Sequence, residues 1–122
     1  MTPRVLLVDD SGLARRSMRA ILEGAGFQVI EAADGMAALE QYFVEKPDVV
    51  MLDLVMKGMY GLEVLAKLRQ LDPEARVIVV SADVQDSSQQ IALERGASAF
   101  LNKPIDRERM LSAVRTVLQG VA

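Results

Sequence analysis

Three aspartate positions, one serine and one lysine in this 122-residue chain are placed to act on a common target. Asp9 and Asp10 follow the apolar run Val5-Leu6-Leu7-Val8. Asp53 follows Val49-Val50-Met51-Leu52, Ser81 follows Val77-Ile78-Val79-Val80, and Lys103 comes just after Ser98-Ala99-Phe100-Leu101. If these runs are strands of one parallel sheet, all five side chains meet at its carboxyl edge, where open α/β sheets bind their ligands. Carboxylates so close raise one another's pKa, and the crevice is costly unless a cation enters it. The chain has neither cysteine nor histidine, so a metal there must be held by oxygen. Mg2+ fits, because it takes one or two carboxylates, waters and a phosphate oxygen in an octahedron. Lys103 adds a fixed positive charge and Ser81 a hydroxyl donor. A carboxylate nucleophile, a divalent metal, a lysine and a hydroxyl together make a phosphoryl-transfer site.

The same composition removes other chemistries. Without cysteine or histidine there are no disulfides, thiol nucleophiles, Cys/His zinc sites or Ser-His-Asp triads. The net charge of -3 offers no basic footprint for nucleic acid. Aromatic residues are 4% of the chain, too few for a stacking platform on single strands. The apolar run near the start stops at two aspartates, unlike a signal peptide. No run approaches the roughly 20 residues of a transmembrane helix. A cytoplasmic protein with one domain over residues 1–122 is expected, able to bury a core without staples.

The elements that must position these groups alternate. Val5–Val8, Val49–Leu52 and Val77–Val80 are wholly apolar, as suits strands covered on both faces. Gln28–Glu31 and Ser98–Leu101 are mixed, as suits edges. Between them lie helical patterns. The first is capped by Ser11, carries Ala14, Met18, Ile21, Leu22 and Ala25, and ends at Gly26. The second is capped by Asp34 and stopped by Pro47. The third carries Leu65, Leu68 and Leu71 before Asp72-Pro73. The fourth runs from about Val84 to Arg95 with a thin stripe at Ile91 and Ala92, and ends at Gly96. The fifth starts near Asp106 and carries Met110, Val114, Val117 and Leu118. Five β-α units with three central apolar strands predict a five-stranded parallel sheet in the order 2-1-3-4-5, a flavodoxin-like α/β three-layer sandwich.

The segments LLVDD, VVMLDLVM, GLEVLAKLR, VIVVSAD and GASAFLNKP resemble, in order, the motifs of the response-regulator receiver domain of the CheY-like type. The resemblance covers essentially the whole chain. It implies that Asp53 is the phosphoacceptor, taking a phosphoryl group from a sensor histidine kinase or a histidine phosphotransfer domain. It implies Mg2+ bound directly by Asp10, Asp53 and the backbone carbonyl of Val55, with Asp9 acting through a bound water. Lys103 would pair with the phosphoryl group and precede a cis bond to Pro104. Ser81 and Phe100 stand at the family's two switch positions. Phosphorylation would draw in Ser81 and Lys103, let Phe100 turn inward and reshape the face of helix four, strand five and helix five for a downstream protein. The thin stripe of helix four suits a movable element. The resemblance further implies a signalling phosphoacceptor, not an enzyme, and a monomer or a phosphorylation-dependent dimer.

Some positions depart from the family pattern. Lys57 stands where proline is usual and Tyr60 where an acidic residue is common, just before the expected Gly61. Val55 offers no polar side chain to position a hydrolytic water, and Asp83 lies near that water's approach. Arg15, Arg16 and Arg19 share the first helix near the site mouth, as a docking face for the kinase or as a solvated face. Met56 and Met59 flank the site loop. Rival readings are weaker. Haloacid-dehalogenase-type enzymes place an acid two residues after the nucleophile, where this chain has Val55. A flavin-binding module would want a Gly/Ser/Thr-rich loop after strand one, where this chain has Asp9-Asp10-Ser11-Gly12. Ser98-Ala99 replaces acidic residues that many DNA-binding relatives carry, which leans toward a stand-alone chemotaxis-like adaptor. The alternatives are a receiver cut from a longer regulator with an output domain, and a receiver-like scaffold that works without phosphate.

Overall fold

The structure, a computed structural model, describes residues 2–56, 60–82 and 86–120, with the side chains of residues 86 and 87 outside that description. Lys57, Met59 and Asp83 therefore lie outside the described residues. The chain alternates β1 (Arg4–Val8), α1 (Gly12–Gly24), β2 (Gln28–Ala32), α2 (Gly35–Glu45), β3 (Val49–Asp53), α3 (Gly61–Leu71), β4 (Val77–Ser81), α4 (Asp86–Glu94), β5 (Ala99–Asn102) and α5 (Arg107–Leu118). All four strand pairings are parallel, and the order is β2-β1-β3-β4-β5. The chain reverses its direction of winding between β1 and β3, which opens the crevice there.

Alternation along each strand feeds two cores. Val5, Leu7, Val49, Met51, Ile78, Val80 and Leu101 face α1 and α5, where Met18, Leu22, Met110, Leu111, Val114 and Val117 meet them. Leu6, Val8, Val50, Leu52, Val77 and Val79 face the other way, onto α2, α3 and α4. The central strands β1, β3 and β4 are buried almost throughout, whereas β2 and β5 are mixed. Their compositions follow from having one neighbour instead of two.

The helix starts are built from local hydrogen bonds. Ser11 Oγ accepts from the Ala14 N–H at 3.1 Å, Asp34 Oδ1 from the Ala37 N–H at 2.8 Å and Asp106 Oδ1 from the Arg109 N–H at 2.7 Å. α4 closes on Gly96, whose φ of +101° suits the left-handed turn that ends a helix. α3 is different: Tyr60 precedes it with no side-chain cap. One expected detail shifts. Leu71 is largely exposed, because steps of three residues drift around the helix and carry it about 120° from Leu65. Met56, three residues past the end of β3, is buried in the core, where it packs.

Candidate functional site

The parallel register sets the ends of four strands side by side. Val8 pairs with Leu52, Asp53 with Val80, and Ser81 with Asn102. The chain past β5 is held to β4 by the Lys103 N–H, which donates to the Ser81 carbonyl at 2.8 Å. The Lys103–Pro104 peptide bond is cis. These joints bring Asp9, Asp53, Ser81 and Lys103 together from separate strands, as the sequence reading expects.

Lys103 is the centre of the arrangement. Its Nζ lies 3.0 Å from Asp9 Oδ2 and 3.3 Å from Asp53 Oδ2. Asp9 is 1% exposed and both its oxygens are engaged, since Oδ1 accepts from the Ser11 N–H at 2.9 Å. Asp53 is 7% exposed, and its Oδ1 accepts from the Val55 N–H at 3.3 Å. Asp10 stands exposed at the mouth, while Ser81 is fully buried at the end of β4. The Val55 side chain points into solvent. Phe100 is half-buried on the α2–α4 side of β5, in register with Val79.

Burial pushes the Asp53 carboxyl up from its ordinary value; Asp9 adds to the shift, while Lys103 and the Val55 N–H oppose it. Burial would lower the Lys103 ammonium, but the carboxylates of Asp9 and Asp53 outweigh it and hold Lys103 above its ordinary value. Lys103 thus favours the charged form of Asp53 and is itself kept charged by both carboxylates, whereas Asp9 opposes the charge on Asp53. One carboxylate oxygen from each of Asp9, Asp10 and Asp53 lies within 4.8 Å of the others. That all-oxygen donor set fits a hard divalent cation and nothing softer.

Two further residues shape the site through contacts that only the fold brings about. Gly61 donates its N–H to the Leu54 carbonyl at 2.9 Å. A Cβ there would lie 2.4 Å from the Asp53 carbonyl oxygen and 2.6 Å from Leu54 Cα, so only glycine lets α3 start against the backbone that carries Asp53. Arg15 Nη1 donates to the Asp9 carbonyl at 2.6 Å and Nε to Glu31 Oε1 at 2.9 Å. Arg19 Nη1 reaches Glu31 Oε2 at 2.5 Å. Arg15 and Arg19 are therefore tied to Glu31 of β2, with the Arg19 side chain 39% exposed, and Arg16 is exposed beside them.

Known proteins agree with this geometry. The family model for the response regulator receiver domain matches residues 5–115. The chain is 38% identical over 119 residues to the chemotaxis protein CheY of Bacillus subtilis, covering 97% of this chain and 99% of that protein. It is 35% identical over 119 residues to the response regulator MprA of Mycobacterium ulcerans, covering 98% of this chain and 51% of that protein. It matches the crystal structure of the CheX–CheY–BeF3–Mg2+ complex from Borrelia burgdorferi with a TM-score of 0.90 and 36% identity, over 94% of this chain and 88% of that one.

Proposed function

The chain belongs to the response regulator receiver domain family, and from that premise we propose that Asp53 is the carboxylate it phosphorylates. The observation that carries this reading is the Lys103 ammonium bridging Asp9 and Asp53 beside a three-carboxylate cluster. Asp53 is the member of that cluster at the end of the central strand β3, buried yet facing the crevice. Its carboxylate oxygen attacks phosphorus, and the P–N bond to a donor histidine breaks with the electron pair returning to the imidazole. Lys103 already touches Asp53 and follows it onto the phosphoryl oxygens. The Ser81 hydroxyl donates to the same oxygens.

Asp10, Asp53 and the Val55 carbonyl are the groups that would hold Mg2+ directly, with Asp9 reaching it through water. Bound there, Mg2+ would neutralise charge on the phosphoryl oxygens. The Borrelia burgdorferi relative carries Mg2+ and BeF3 in its complex, which supports this cation.

Drawing Ser81 and Lys103 inward pulls on the ends of β4 and β5. Phe100 then turns into the core, and the face of α4, β5 and α5 changes shape for a downstream partner. The donor is a sensor histidine kinase or a histidine phosphotransfer domain. Residues 1–122 act as one receiver domain, a cytoplasmic adaptor of the chemotaxis kind and not a turnover enzyme. Among the described residues no helix is long and apolar enough to cross a membrane. Incubation with acetyl phosphate, followed by intact mass, tests the reading. One phosphoryl adduct that forms with Mg2+ and not with chelator supports it; no adduct in either condition overturns it.

A further inference from the structure

We propose that Arg15 is a positioning residue for the metal-binding pair, fixing the plane of the Asp9–Asp10 peptide, and that Glu31 on the neighbouring strand aims it. The inference rests on the reading that these aspartates hold Mg2+. The Asp9 carbonyl and the Asp10 N–H belong to one planar peptide unit. Holding that carbonyl at 2.6 Å therefore sets the direction in which the backbone presents Asp10. The Asp9 side chain is fixed separately by the Ser11 N–H and Lys103, and Asp10, the next residue, stands exposed at the mouth of the crevice.

Glu31 stands in register with Leu7, two residues before Asp9, on the side of the sheet that α1 covers. Its two oxygens are divided between Arg15 at 2.9 Å and Arg19 at 2.5 Å. The Arg15 side chain is 19% exposed and the Glu31 side chain 29% exposed, so both are half-buried where α1 meets β2. A guanidinium donates to the carbonyl and the carboxylate at once through a rigid planar fork, which a lysine lacks. Groups that orient metal ligands from behind govern metal affinity by about 10- to 100-fold.

The test is a calorimetric Mg2+ titration of the wild-type chain, Arg15→Ala, Arg15→Lys and Glu31→Gln, paired with phosphorylation rates from acetyl phosphate across Mg2+ concentrations. Arg15→Ala is expected to weaken Mg2+ binding about tenfold and Glu31→Gln about threefold. The rate at saturating Mg2+ should recover to within about twofold of wild type. Arg15→Lys should bind as weakly as Arg15→Ala, because charge without the fork does not fix the peptide. A role confined to holding α1 on the sheet would lower the melting temperature and leave the Mg2+ affinity unchanged, and that outcome overturns the proposal. Full rescue by Arg15→Lys overturns it too. If Arg15→Ala does not fold, Glu31→Gln decides alone. A wild-type chain that binds Mg2+ yet takes no phosphoryl group would sink the phosphoacceptor reading and leave this one standing.

Discussion

On the β1 side of the crevice, α1 is capped by Ser11, buries Met18 and Leu22, and is tied to β2 through Arg15, Arg19 and Glu31. On the β4 side, α4 has nine residues, and among its described side chains only Ala92 is buried. Ile91 is half-buried, Leu93 is 43% exposed, and Gln90 donates to Glu94 within the helix itself. The two corners serve one site under opposite demands. A cation site needs its carboxylates held still, whereas a signal needs a part that moves at small cost. Apolar burial contributes about 25 cal/mol per Å2, so a helix that buries little is displaced by modest differential contacts. In the proposed function, a phosphoryl group on Asp53 that engages Ser81 and Lys103 would supply contacts of that kind.

The contrast can be broken first by truncating the two helices. Leu22→Ala should cost about 3 kcal/mol of stability, because the side chain is fully buried and leaves a cavity. Ile91→Ala should cost about 1 kcal/mol. Equal losses in urea melts would show that α4 is held as firmly as α1. Lys103→Ala should slow phosphorylation by acetyl phosphate about 100-fold, as loss of a charge aimed at the transferring group does. A rate within a few-fold of wild type, measured by intact mass, would remove Lys103 from the chemistry.

A smaller effect separates the crowded carboxylates from the rest of the fold. The Asp53 pKa is raised in the folded chain, chiefly by burial. Such a group binds its proton more tightly when folded, so metal-free stability falls as pH rises from about 3.9, the unfolded value, through the raised folded value. At neutral pH, Asp53→Asn should therefore stabilise the metal-free chain by about 1 kcal/mol, a few degrees in melting temperature. Mg2+ should reverse the ranking, since it stabilises the chain that binds it better. Glu31 carries the opposite sign. Arg19 foremost, and Arg15 with it, hold its carboxyl below the ordinary value against the effect of burial. The stability it contributes is present above about pH 4.3, the unfolded value, and is lost as pH falls through the lowered folded value. Glu31→Gln should flatten that acid limb by a few tenths of a kcal/mol, read from urea melts between pH 3 and 6.

Much of this was legible in the residues. Apolar runs at Val5, Val49 and Val77 gave the central strands, and Ser11, Asp34 and Asp106 stand as caps where their hydrogen-bonding side chains predict them. Asp9, Asp53, Ser81 and Lys103 converge because parallel strands must end on one side. What escaped depends on three-dimensional neighbours. Nothing local marks Glu31 as the anchor of Arg15, since that needs the β1–β2 register. Gly61 is expected from the family pattern, but its reason, that a Cβ there would lie 2.4 Å from the Asp53 carbonyl oxygen, needs the fold. Leu71 fits a helical pattern by spacing, yet sits too far around the helix to reach the core.

Of the three neighbouring carboxylates, Asp53 is the one proposed to take the phosphoryl group. Borohydride reduces an aspartyl phosphate to homoserine, so treating the Mg2+- and acetyl-phosphate-exposed chain and mapping its peptides locates the modified residue. Homoserine is expected at position 53 alone, and none after chelation of Mg2+. Homoserine at position 9 or 10, or at no position, would contradict that proposal.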